Sequence, residues 1–394
     1  MLSKDEIIKF IKDNLRWILI FFIILIVIII MKKIQYEKFT EDKLKYYRNS
    51  CSFQLNKNLE EFLDKNNIYK TDNQDAADIL LPCGYNQIDD EIKKFNLTNN
   101  KSKIFVIHNA DNIVSKHKLW KHLVEYYGNN ASNYVPTSYI LADFIDLEKL
   151  KKEHIDGKLY ILKKNIQRQE GLKIVNNISD IINNKLEYVI AQELLQDPYL
   201  VDGRKTNMRF YVLVVCNKSN FNVYLYNDGF MYYTKVPFKK NTTDFDTNVT
   251  TGYIDRQVYE VNPLTHQDMR VYLDKERPLT DYEKKEIKNG KLSQIYFSKI
   301  NDLIRNVFIA FKNKIGNNSL TGSKLYNNIS FQLFGVDVGV SDTYVPKIME
   351  VNKGPDMGSK DERDGQVKKG CIKHMMEIIG LIPISMDNKF TKII

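Results

Sequence analysis

The chain has 394 residues, 43% of them hydrophobic and 27% charged, which excludes a wholly disordered or collagen-like polymer and fits two or three folded domains. Lys and Arg outnumber Asp and Glu 58 to 49, a net charge of +9 that suits a lysine-rich soluble surface or attraction to an acidic protein, an anionic lipid or nucleic acid; no zinc-finger, homeodomain or RNP-type pattern makes nucleic acid an expected partner. The four cysteines, Cys51, Cys83, Cys216 and Cys371, are scattered without a CxxC pair, so a disulfide scaffold or thiolate zinc site is not expected and a reducing compartment is favoured.

Trp17–Met31 is an unbroken apolar run flanked by Arg16, Lys32 and Lys33. A spanning helix takes roughly 20 residues; Leu15 lengthens the run, and the flanking cations can snorkel to the headgroups. No small-residue cleavage site follows, which argues against a removed signal peptide. The expectation is a transmembrane anchor over 15–34 behind a flank at 1–14. A slight excess of lysines after the run points the body toward the cytosol. Sequons such as those at Asn96 and Asn177 would be glycosylated if the body were luminal.

Residues 35–75 are charged and helix-like, Ile79–Cys83 reads as a strand, and 89–103 as a polar loop. Ile104–Ile107 has a buried-strand pattern, and Ser115–Tyr127 has helical spacing. Pro136 opens VPTSYIL, which leads to a helix at Asp146–Glu153. From Lys158 the texture changes to β-branched and aromatic runs: LYILKK, GLKIV, YVIAQEL, MRFYVLVV and FNVYLYND. Arg270–Ile315 is helical again. Phe331–Val340 and Tyr344–Asn352 predict a hairpin, and a last helix lies near Lys368–Ile379. This order predicts an α+β chain rather than a doubly wound sheet. Its regions are an amino-terminal α/β part at 35–157, a larger unit at 158–385 and a tail at 386–394.

Glu350 and Asn352 stand at i and i+2 of a strand and so share a face, with Met349 and Val351 turned into a core. Asp337 interrupts the apolar run GVDVGV; a buried Asp there must be paired or bound to a cation. Three hard oxygen ligands on adjoining strands suit Mg²⁺. Equally, Glu350 and Asn352 can cap a sheet edge while Asp337 bonds a turn. Lys163, Lys164, Arg168, Lys205 and Arg209 emerge from or flank strands, where cations either neutralise phosphate or discourage edge-to-edge association.

The order of these pieces resembles the tubulin–tyrosine ligase-like family, a branch of the ATP-grasp ligases, from about Ile104 to about Leu381. IFVIHNADNIVSKHKLWKHL is similar to the family's stretch before a lysine-containing helix start. YVPTSYIL resembles its P-x-T-[FY]-x-L segment, and LYILKKNIQRQEGLKI its glycine-loop region. AQELLQDPYLVDGRKTNMRFYVLVV and FQLFGVDVGVSDTYVPKIMEVNKGP resemble the segments that carry K-F-D-L-R and E-V-N. The resemblance implies an ATP-grasp fold preceded by a small α/β domain. It implies that Lys163 contacts ATP phosphates under a loop containing Arg168 and Gly171. Gln192, Glu193 and Leu194 match the hinge at the adenine, Lys205 lies near ribose and substrate, and Arg209 matches the motif's arginine. Asp337, Glu350 and Asn352 match the Mg²⁺ ligands. The implied reaction forms an amide bond between an amino acid and a protein acceptor, tubulin or another acidic-tailed protein, through an acyl phosphate.

Several positions depart from the family pattern. Lys164 replaces a proline, Gln169 a glycine, Asn207 an acid and Tyr232 an arginine, and Asn248–Thr251 lacks the family's His and Asn. Tyrosine brings no charge where the arginine would face the acyl phosphate. The alternative expectation is therefore a nucleotide-binding but catalytically silent, membrane-tethered module.

Overall fold

The computed structural model describes residue 17 and residues 20–31, 43–166, 171–276, 279–287, 290–316 and 325–394. Residues 20–31 are helical with every side chain exposed. Among the described residues, no helix is long and apolar enough to cross a membrane. The anchor expected at 15–34 lies partly outside them, and the flank at 1–14 wholly outside.

The body is a mixed α/β structure built on two sheets. The larger has eleven strands. Its centre is the long antiparallel pair Arg204–Asn217 and Asn220–Thr234, followed by Ile329–Val340 and then Pro346–Lys353. Helices Leu292–Phe311 and Glu362–Ile378 pack against it. Ile329–Val340 is buried along nearly its whole length, as a strand covered on both faces must be. Only Ile329 and Asp337 in it are half-buried.

The smaller sheet has four antiparallel strands, ordered Ser138–Ile140, Ile190–Glu193, Tyr160–Lys163 and Leu172–Val175. Tyr160 and Leu162 point to one face and pack with Leu150 and Ile181 from helices Phe144–Glu153 and Ile178–Asn183. Strand alternation sends Ile161 and Lys163 to the other face. There Leu159, Ile161 and Ile174 meet Leu194 and Val249. The inner face of the small sheet therefore presents one buried lysine toward the large sheet.

Three expectations are corrected. Residues 35–75 are not uniformly helical: strands Lys45–Arg48 and Tyr69–Lys70 flank the helix Lys57–Lys65, and they pair in parallel. Tertiary pairing overrides a charged composition there. The loop expected at 89–103 contains the helix Ile88–Lys93, whose apolar Ile88 and Ile92 bury. In the tail, Phe390–Lys392 forms a strand against Asn220–Thr234. The small sheet also draws Ser138–Ile140 from before position 158, and the amino-terminal strands continue the large sheet.

Phe334 lies fully buried in the large sheet, edge-on to Phe308 of the covering helix, with ring centroids 5.9 Å apart. Phe334→Ala is expected to destabilise the protein by about 3–5 kcal/mol, read as a lower denaturant midpoint of the full chain.

Candidate functional site

The strands of the large sheet place the charged groups in one row. Arg209 pairs in register with Asp337, and Asp337 with Glu350, so the three side chains stand side by side on three adjacent strands. Asn352 faces Gly335 one step along, on the same side as Glu350. Arg209 donates through Nε to Asp337 Oδ1 at 2.6 Å and through its terminal nitrogen to Oδ2 at 2.9 Å, a bidentate fork. A Cβ on Gly335 would sit 3.1 Å from the Arg209 side chain, so the glycine leaves the guanidinium its berth. Burial is the largest influence on Arg209 and acts to lower its pKa, but the Asp337 charge, Tyr232 and the hydrogen bond to Asp337 together outweigh it and hold it raised. Burial raises Asp337 against the pull of Arg209, and Glu350 raises it further.

The register slips between Asp337 and Val338, because Glu350 pairs Asp337 while Ile348 pairs Val338. Met349 is the extra residue of a β-bulge. This overturns the strict alternation expected from the sequence. Ile348 and Val351 enter the core, while half-buried Met349 reaches over Gly339 on the side of the charged row. The bulge also frees the Met349 carbonyl, which accepts from Lys163 Nζ at 3.1 Å. This bond joins the small sheet to the large one at the site.

Lys163 is buried, and burial pushes its ammonium down to about 8, with Glu350 and Asp337 opposing the fall and Lys116 adding to it. Lys205 donates to Leu195 O at 2.9 Å. Burial, and then the charge of Lys163, pushes it down to about 7. Lys116, at the start of the helix Lys116–Tyr127, bonds Glu350 Oε1 and Ile166 O, each at 2.9 Å. It was not among the expected site residues, although SKHK opens that helix in the sequence. Three ammonium groups thus gather beside two carboxylates, an arrangement suited to phosphate oxygens and a hard divalent ion.

At the other end of the small sheet, Gln192 is buried and donates to Ser138 Oγ at 3.0 Å. The backbone N–H groups of Glu193 and Leu194 are held by Thr137 O and Leu159 O, and Glu193 pairs with Lys158. Gly171 O accepts from Lys164 N at 2.8 Å. A Cβ on Gly171 would meet Ile166 and Lys164 at 2.8 Å, so the chain turns back tightly there. Lys164 itself turns to Glu187 and the Tyr188 ring, away from the row. Arg168 and Gln169 lie outside the described residues. Tyr232 lays its ring 5.3 Å from the Arg209 guanidinium, and burial pushes its hydroxyl up to about 12. Among the described residues, no three His, Cys, Asp or Glu side chains cluster to hold a metal. The candidate set is two carboxylates and an amide, opposed across one ladder, and its hard oxygens fit Mg²⁺.

Residues 95–389 match the Tubulin-tyrosine ligase family. The chain is similar to the tubulin polyglutamylase ttll-4 of Caenorhabditis briggsae, 24% identical over 72% of this chain and 47% of the relative. It is also similar to the tubulin polyglutamylase TTLL5 of Mus musculus, 22% identical over 80% of this chain and 25% of the relative. A probable beta-tubulin polyglutamylase of Tetrahymena thermophila is 21% identical over 62% of this chain and 21% of the relative. The chain spans less than half the length of these relatives.

The depressed ammonium groups set a pH dependence. A lysine whose folded pKa lies below its unfolded value penalises folding while charged, and the penalty lifts as pH rises above the folded pKa. Stability should therefore climb from about pH 7 toward the ordinary lysine range. Lys205→Met should flatten part of that climb, measured by urea unfolding at pH 7 and pH 9.

Proposed function

This chain belongs to the Tubulin-tyrosine ligase family, and from that premise we propose that it is an ATP- and Mg-dependent ligase adding an amino acid, glutamate by analogy with its relatives, to a protein acceptor. Tubulin or another acidic-tailed protein is the acceptor we propose, since the relatives are named tubulin polyglutamylases and the net charge of +9 favours an acidic partner. The observation that carries the reading is the row of Asp337 and Glu350 beside the buried lysines.

In this reading Lys116, Lys163 and Lys205 neutralise the triphosphate, and Arg168 and Gly171 contribute to its binding. Gln192, Glu193 and Leu194 line the slot for the base. Asp337, Glu350 and Asn352 hold Mg²⁺, which supplies charge stabilisation on the phosphoryl group. Arg209 keeps the Asp337 carboxylate oriented. An acceptor carboxylate oxygen attacks the γ-phosphorus, the bond to the bridging oxygen breaks, ADP leaves and an acyl phosphate forms. The amine of the amino acid then attacks the acyl carbon; phosphate departs and the amine's proton passes to solvent. Positioning and electrostatics carry such transfers.

A second reading, a nucleotide-binding but silent module, is favoured by one observation: Tyr232 packs on an Arg209 already engaged by both oxygens of Asp337. Residues 15–34 are proposed to tether either form to a membrane, with the body in the cytosol. The unbroken apolar run Trp17–Met31 supports this.

Full chain incubated with ATP, Mg²⁺, labelled glutamate and tubulin should yield labelled tubulin by mass spectrometry, and Glu350→Gln should lower the rate by about 10²-fold or more. ATP binding without any labelled acceptor, across all amino acids and lysate proteins, selects the silent module. Expressed in cells, the full chain should stay with membranes through alkaline extraction, and a chain lacking residues 1–34 should be released; a full chain that is also released refutes the tether.

A further inference from the structure

The incoming amino acid surrenders its amine to the new bond and keeps its α-carboxylate. A site that selects that anion needs a cation to receive it. Most cations around the charged row are already engaged. Arg209 is held by both oxygens of Asp337 and Lys116 by Glu350, while Lys163 and Lys205, bonded to the Met349 and Leu195 carbonyls, are assigned above to the triphosphate. Beyond Tyr232, Lys368 is buried against Asp364 at 3.0 Å, and Arg256 pairs with Asp361.

Lys360 is different. It follows the strand Pro346–Lys353 on the loop that leads into the helix Glu362–Ile378. Among the described residues no carboxylate lies within ion-pair distance of its ammonium. Nζ donates to Gly252 O at 2.6 Å and sits 4.4 Å from the centre of the Tyr253 ring. An ammonium has three donors, so others remain for a ligand. Its position is fixed by Gly252: a Cβ there would lie 3.2 Å from Lys360 Nζ and 3.1 Å from the Tyr232 ring. The ammonium and the ring of Tyr232, the tyrosine that packs on Arg209, thus flank the same glycine. Partial burial lowers its pKa and the Lys368 charge adds to the fall, with Asp364 and Asp356 opposing it; the side chain stays solvent-accessible, open to an incoming anion.

We propose that Lys360, framed by Gly252, Tyr232 and Tyr253, is the specificity-determining cation that receives the free carboxylate of the incoming amino acid. This rests on the ligase reading above and names the anionic part of its substrate.

The test compares the full chain with Lys360→Met and Lys360→Arg, using glutamate, its α-carboxamide and glutamine as amine substrates. Losing a charge-assisted bond should raise KM for glutamate about 10- to 100-fold in Lys360→Met, with KM for ATP unchanged and Lys360→Arg largely restored. The wild type should discriminate against the α-carboxamide, and Lys360→Met should lose that discrimination. A loss confined to glutamine would instead assign the side-chain carboxylate and overturn the α-carboxylate assignment. Equal KM for glutamate in wild type and Lys360→Met overturns the proposal while leaving the ligase reading standing. If the wild type ligates nothing, the ligase reading fails by itself. Glutamate binding measured by calorimetry with a non-hydrolysable ATP analogue then decides: binding lost in Lys360→Met upholds the cation's role, and equal or absent binding in wild type and variant overturns it.

Discussion

Two carboxylates standing opposite one another on neighbouring strands repel, and the surroundings of the site are organised by that repulsion. Asp337 and Glu350 face each other in register, and each has its own counterion: the Arg209 fork on one, the Lys116 ammonium on the other. Neither cation comes from the hairpin that carries the acids. Arg209 arrives on the next strand, and Lys116 from a helix more than two hundred residues upstream. Neutralising the row therefore ties the amino-terminal part of the chain to the carboxy-terminal hairpin. The paired side chains are mostly buried, with exposures of 10% to 27%.

The geometry depends on small residues and on one irregularity. Gly335 gives Arg209 room, and Gly339 lets Met349 fold over the row. The bulge at Met349 turns a ladder carbonyl into the acceptor for Lys163. A regular ladder would spend that carbonyl on the neighbouring strand and leave a buried ammonium without a partner, a costly outcome. The same bulge increases local twist and bends the strand, which brings the small sheet's inner face against the row. Burial then depresses both Lys163 and Lys205, so two ammonium groups are held close together in a setting that an incoming anion would stabilise.

Much of this was legible in the residues. The run MRFYVLVV and the hairpin around GVDVGV and IMEVN read as strands because their alternation and β-branching leave few alternatives. A lone acid in an apolar strand pointed to a paired or cation-binding role, and Asp337 is indeed paired with Arg209. Other features were hidden. The bulge has no local signature in KIMEVNK, and it reversed the expected facing of Met349. The strands at Lys45–Arg48 and Tyr69–Lys70 are short and charged, and they exist because Ile79–Leu81 offers a sheet edge. Lys116 is one lysine among several in SKHK, and Lys360 one in a polar loop. Nothing in their neighbours marks either as belonging to the site.

The sequence by itself determined the identity and order of the chemical groups. It specified two acids on the adjoining strands of a hairpin, cations at the ends of apolar runs, a long apolar segment near the amino terminus, and a succession of motifs that matched a family. The tertiary structure alone decided which cation met which acid, which lysines lost their water, and where an ammonium bonded to a backbone carbonyl was left beside a tyrosine. The reason is physical. Strand and helix propensity act over a few residues, whereas ion pairing, burial and register act across segments that only the folded sheet brings within a few ångströms.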